Sequence, residues 1–227
     1  MHAIEDLFDE IERQHSFELC TDPSEVEILE TSLGYPLPSD LKSFHGRYKT
    51  VSLFVDPIGG PTYRFVPASE IHPTRIDVHG QDTDEWGPST WLTICDVLDA
   101  NYIALDITSG SGDQYNYIDC FHETFAEPGH SLIIARSFAG LVRSALEGGG
   151  DRLFWGQEGF VPYGDGMPLT ARNAAIRIDN PEAQEEGWLV RFTHQGRSHR
   201  EFFADRQYGG KDKSFQAIEL YIEEATK

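Results

Sequence analysis

The chain has 227 residues, 39% apolar and 12% aromatic, enough to bury one good core and a small second one, which excludes a disordered polymer. Against 18 Lys and Arg stand 38 Asp and Glu, a formal net charge of -20, so broad attraction to phosphate backbones or anionic lipid is excluded as its governing property. The imbalance is uneven: the first 168 residues carry 9 basic and 28 acidic side chains, net -19, whereas the last 59 carry 9 and 10, net -1.

No run of about 18 apolar residues occurs, and the amino terminus is acidic where a secretory signal is basic, so no membrane association is expected and the expected compartment is the cytoplasm. Cys20, Cys95 and Cys120 are odd in number and widely spaced, and the last two sit in apolar runs; buried thiols are expected rather than a disulfide or a metal site.

Ile4, Leu7, Phe8 and Ile11 recur at helical spacing, predicting an amphipathic helix over 2–14. A second helix opens at Asp22-Pro23, continues through Val26, Leu29 and Leu33, and stops at Gly34. Pro36 and Pro38 forbid its continuation, and Ser39 is the expected cap of a short third helix carrying Leu41 and Phe44. The period then changes. Strands are predicted over 50–55, 63–66, 91–95, 102–107, 115–119 and 132–135, with Gly-rich turns between several of them, and a closing helix over 137–147 buries Phe138, Leu141, Val142 and Ala145. Successive strands with few helices between them predict an α+β fold, a mainly antiparallel sheet packed by helices.

Three segments carry a family resemblance. Leu33-Gly34-Tyr35-Pro36-Leu37-Pro38-Ser39-Asp40-Leu41-Lys42-Ser43-Phe44, then Phe65-Val66-Pro67-Ala68-Ser69-Glu70-Ile71, then Ile133-Ile134-Ala135-Arg136-Ser137-Phe138 resemble the SUKH superfamily over roughly 20–148. That group contains the yeast cell-wall-assembly regulator and many bacterial immunity proteins. His45-Gly46-Arg47 stands where the family usually has an Asn-Gly step. The resemblance implies an α+β protein-binding scaffold without enzymatic chemistry, in bacteria often used to neutralise toxins.

Gly and Pro accumulate over 156–168, which reads as a linker between a first domain at 1–155 and a second at 169–227. In the second, strands are predicted over 174–178, 187–194 and 197–203, with a tight turn at Gln195-Gly196 and a helix over 212–225. Gly187-Trp188-Leu189-Val190-Arg191, Gly196, Phe202-Phe203-Ala204-Asp205 and Tyr208-Gly209-Gly210-Lys211 resemble the Apetala-type DNA-binding domain. The resemblance implies a three-stranded sheet laid in the major groove, with Arg177, Trp188, Arg191, Arg197 and Arg200 as the candidate nucleic-acid contacts, since guanidinium forks suit phosphate and guanine edges. Near-neutral charge argues against this, as does the alternative that Glu182, Glu185, Glu186 and Glu201 pair with these arginines.

Chemistry motifs are weak. Cys120 and His122 share a strand face and invite a cysteine-hydrolase reading, but no oriented carboxylate at a recognisable spacing follows. Asp82, Asp84 and Glu85 supply oxygen ligands without the calcium-loop pattern, and Ser109-Gly110-Ser111-Gly112 lacks the Lys of a phosphate loop. No catalytic residue, cofactor or metal is therefore expected.

A protein partner is the better expectation. Trp86 and Tyr115 are anchor candidates, as are Trp91, Tyr117 and Trp155, and Asp82, Asp84, Glu85, Asp99 and Asp113, with Asp77 and Asp106, form a negative rim that would steer a basic protein such as a toxin. The alternative is a DNA-associated regulator that binds duplex DNA through its C-terminal sheet.

Overall fold

Ile4, Leu7, Phe8 and Ile11 do form one buried stripe, shared between a 3-10 turn at Ile4–Leu7 and the helix α1, Phe8–Gln14. The computed structural model describes residues 4–83, 86–180 and 185–227, so Asp84, Glu85 and Glu182 lie outside the described residues. After α1 come β1 (Ser16–Leu19), α2 (Ser24–Leu33), α3 (Ser39–Arg47), β2 (Tyr48–Asp56), β3 (Gly60–Phe65), α4 (Thr74–His79) and β4 (Trp91–Val97). Then follow β5 (Asn101–Ser111), β6 (Gln114–Cys120), β7 (Ile133–Ala135) and α5 (Phe138–Gly148).

The seven strands form one antiparallel sheet in sequential order, so each strand pairs with the next in the chain. The main core lies between this sheet and α1, α2, α3 and α5, with Phe44 packed edge-on against Phe138 at 5.0 Å. Along β5, Ile103, Leu105 and Ile107 face that core, while Ala104 faces a second, smaller one with Trp91, Ile118, Cys120, Ile133 and Met167. Strands covered on both faces read as unbroken apolar runs, which is why 91–95 and 132–135 showed little alternation.

Local caps differ from the expectation in one place. Asp22 accepts from Ser24 N at 3.0 Å, as its position suggested. At α3 the cap is not Ser39 but Asp113, 74 residues away, whose carboxylate accepts from Ser39 N at 2.8 Å and from Ser39 Oγ. The β5–β6 hairpin is thereby tied to the helical layer.

Residues 156–168, read as a linker, are bonded to the sheet: Tyr163 N donates to Ile133 O and Ile133 N to Gly164 O, both at 2.9 Å. Beyond them come α6 (Ala171–Ala174), β8 (Ala175–Asn180), β9 (Glu185–His194), β10 (Arg197–Ala204), α7 (Asp205–Tyr208) and α8 (Lys211–Ala225). The last three strands form a separate antiparallel sheet in the order β10-β9-β8. Val190, Phe192 and Phe203 pack against Ile218 and Ile222 of α8 in a third core.

The two sheets meet at the loop after β6. Thr193 N donates to Pro128 O at 2.9 Å, and His130 Nε2 lies 2.7 Å from Thr193 Oγ1. Gly129 sits at φ +91, and a Cβ there would stand 2.1 Å from Thr193 O, so only glycine permits this approach. Among the described residues no helix is long and apolar enough to cross a membrane.

Candidate functional site

The sheet face away from the main helices carries two concavities, one on each side of α4. On one side is a recess of about 430 Å³ lined by Arg64, Glu70, His72, Asp77, Thr93, Asp96, Ala100 and Tyr102. Outward positions of β3 and β4 supply Arg64 and Asp96, which are register partners and bond at 2.6 Å. Glu70 holds the other guanidinium nitrogen at 3.0 Å. His72 Nε2 meets Asp77 Oδ1 at 2.9 Å, and Thr93 Oγ1 donates to the other oxygen of that carboxylate.

Two carboxylates, Asp96 and Glu70, thus share one guanidinium, and a third, Asp77, is held beside them by His72 and Thr93. Burial pushes the Asp96 carboxyl above its ordinary range, against the pull of Arg64, and Asp77 and Glu70 push the same way. Asp99 stands exposed in the turn beside Ala100, both in left-handed backbone at φ +61 and +55. The recess carries a negative excess that favours an incoming cation.

On the other side of α4 a cleft of about 500 Å³ opens between the two sheets. Trp86, His79, Phe125 and Met167 line one wall, and Arg172, Ile176, Arg177, Trp188 and Arg191 the other. Trp86 leans over His79 with ring centroids 4.4 Å apart. Trp86, Arg177, Trp188 and Arg191, which the sequence assigned to two different surfaces, therefore border one cleft.

The other candidates are scattered. Tyr115 is only 4% exposed, because its parity in β6 turns it into the main core; it cannot anchor a partner. The same holds for Trp91 and Tyr117, and Trp155 is half-buried. Asp113 serves the α3 cap. Asp82 pairs with the buried Arg75 at 2.6 Å.

Among the arginines, Arg177 is committed internally. Its Nη1 and Nη2 meet Asp205 Oδ1 and Oδ2 at 3.0 and 2.8 Å, its Nε meets Asp179 at 2.7 Å, and its guanidinium lies 5.2 Å from the Trp188 ring. Trp188 packs on Phe215 of α8 and donates its indole N–H to Lys211 O. Both point to the helix-covered side of the sheet, not to its open face. Arg191 pairs with Glu127 of the first sheet's loop at 2.8 Å. Arg197 and Arg200 are exposed, without an ion pair among the described residues.

Cys120 is buried in the second core, and burial pushes its thiol well above the usual range, which disfavours the nucleophilic thiolate. His122 Nδ1 is engaged by Asn101 Oδ1 at 2.8 Å. Among the described residues no group of three or more His, Cys, Asp or Glu is placed to hold a metal ion. Glu70, His72 and Asp96 were missed in the sequence because they come from two separate segments, the connection before α4 and β4; only the outward parity of Arg64 and Asp96 hinted at them.

The family model of the SMI1 / KNR4 family (SUKH-1) matches residues 20–144, more than half of the chain. The chain belongs to that family. The matched SUKH-1 span runs from just after β1 into α5 and includes the whole acidic recess; the cleft's second wall and the three-stranded sheet lie beyond it. Over 132 residues, 58% of this chain and 77% of the relative, it is 26% identical to a protein called immunity protein YokJ from Bacillus subtilis (strain 168). No solved structure matches it.

Proposed function

We infer that this chain works by binding another protein, as an immunity protein that holds a basic toxin inactive in the cytoplasm, with no bond-making step of its own. The observation that carries this reading is the acidic recess inside the SUKH-1 span, where Glu70, Asp77 and Asp96 outnumber Arg64, on a body of net charge -19. A Lys or Arg of the partner entering there meets the negative charge that Arg64 leaves uncompensated on Glu70, Asp77 and Asp96, and the surrounding field speeds its arrival. A relative that bears the name of an immunity protein supports the same reading. Duplex DNA has less support, because Arg177 and Trp188 are held against α8 and its connection, and Arg191 is held by Glu127.

The test is affinity purification of the full chain from its host, followed by association kinetics with the protein recovered. Asp96→Asn combined with Asp99→Asn is expected to slow association several-fold at low salt, with the difference fading as salt rises. An acidic partner, or association indifferent to both substitutions, refutes the reading.

A further inference from the structure

The open face of the three-stranded sheet holds a second binding surface of different chemistry. Strand parity places Ile176, Leu189, Arg191, Arg200 and Phe202 on the side opposite α8, because Val190, Phe192 and Phe203 occupy the helix-covered side. Register sets Phe202 opposite Leu189 and Leu189 opposite Ile176, an apolar row across all three strands. None of these three belongs to the third core, and Phe202 is 36% exposed. Gly187 leaves room for the tip of the Phe202 ring: a Cβ there would stand 2.8 Å from Phe202 Cζ.

In the next row Arg200 is directly opposite Arg191. Like charges facing across a strand pair oppose each other, and among the described residues Arg191 has a carboxylate, Glu127, from the other sheet's loop, whereas Arg200 has none. Arg200 is exposed beside the apolar row in a chain with twenty excess negative charges. The loop covers the face at Thr193 and at Arg191, and Ile176 borders the cleft that the loop also lines, so a helix laid on the row has one end at the mouth of that cleft.

We propose that this face binds an acidic amphipathic helix of a partner protein, laid across the strands, with its apolar side chains on Ile176, Leu189 and Phe202 and a carboxylate on Arg200. The spacing fits: strands about 4.8 Å apart match helix turns of about 5.4 Å, so residues one turn apart meet successive strands. The charge fits too, since a carboxylate neutralises the one of the two facing guanidiniums that Glu127 leaves free. A duplex fits poorly, because a phosphate track across this face would lie on three apolar side chains. This surface is independent of the acidic recess and of the immunity reading.

The experiment uses the full chain and two synthetic amphipathic helical peptides that share one leucine face, flanked by Glu in one and by Lys in the other, with fluorescence anisotropy as the readout. The Glu peptide is expected to bind, the Lys peptide not to, and Phe202→Ser and Arg200→Glu each to weaken the Glu peptide about tenfold or more. Arg200→Lys is expected to retain most of the binding. Unchanged circular dichroism and melting temperature in these surface variants keep a folding defect apart from a lost contact. Equal binding of both peptides, binding of neither, or insensitivity to Phe202→Ser overturns the proposal. So does a mixed-sequence duplex that binds with an Arg200-dependent salt slope, or a self-dimer that Arg200→Glu dissolves; either gives the face to another occupant.

Discussion

Asp119 offers the sharpest test of how burial acts on this fold. It sits in β6 with Trp155 as its side-chain hydrogen-bond partner, and burial pushes its carboxyl up to about 6 from 3.8. A raised native value contributes stability that is fully present below the ordinary carboxylate range and is lost as pH rises through about 6. Across that interval the ionised form costs about 3 kcal/mol at neutral pH, as an upper figure. Asp119→Asn is neutral at every pH, so it is expected to stabilise the chain at pH 7.5 by about 1–3 kcal/mol and to give nearly nothing near pH 4. His45 works in the opposite direction: burial lowers its imidazole to about 4, so stability falls as pH drops from 6.5 through about 4, by about 3 kcal/mol. The two contributions oppose each other over the same pH range. In urea melts between pH 4 and 7.5, Asp119→Asn is then expected to be more acid-labile than the natural chain. His45→Leu is expected to lose less stability toward acid than the natural chain does. An Asp119→Asn effect of the same size and sign at both ends of the range refutes the reasoning.

Gly129→Ala places a methyl against Thr193 O in backbone at φ +91, and is expected to speed amide exchange at Thr193 by at least tenfold while leaving the centre of the seven-stranded sheet protected. Asp113→Ala removes the remote cap of α3, with an expected loss of about 1–2 kcal/mol in urea melts; no loss would show that water replaces the carboxylate. Thiol titration of the native chain is expected to modify Cys20 first and to reach Cys95 and Cys120 only on unfolding, because both are fully buried with thiols pushed well up; fast labelling of Cys120 would contradict that burial.

Helices α2 and α3 were legible because Pro23, Gly34, Pro36 and Pro38 punctuate the chain there, and the strands because apolar runs lie between Gly-rich turns. What stayed hidden follows from physics too. β1, Ser16-Phe17-Glu18-Leu19, alternates but has only four residues directly after a helical run, and the six residues of α4 are too few for a helical period. The recess needs outward positions on two strands plus two residues of an irregular connection, a juxtaposition that only strand register creates. In β9 the alternation of Trp188-Leu189-Val190-Arg191-Phe192 already puts Trp188 with Val190 and Phe192, and Arg191 on the other face with Leu189; only the packing of α8 shows that the Trp188 face is the covered one.

The fate of the arginines then separates the two halves of the molecule. In an acidic chain each guanidinium has carboxylates to choose from, and most that carry structure have chosen: Arg64 takes Asp96 and Glu70, Arg75 takes Asp82, Arg177 takes Asp205 and Asp179, and Arg191 takes Glu127. In the recess this pairing still leaves carboxylate in excess, so that site invites a cation. On the open face of the small sheet the pairing stops one residue short, at Arg200, beside three apolar side chains that no core absorbs. A duplex would gain from Arg200 alone and would have to desolvate the apolar row for nothing in return, whereas a helix bearing leucine and glutamate satisfies both features at once. The two proposals thus call for partners of opposite charge, and Arg200→Glu is expected to weaken one interaction about tenfold or more while leaving the recess, on the other side of α4 from the cleft, free to keep the other.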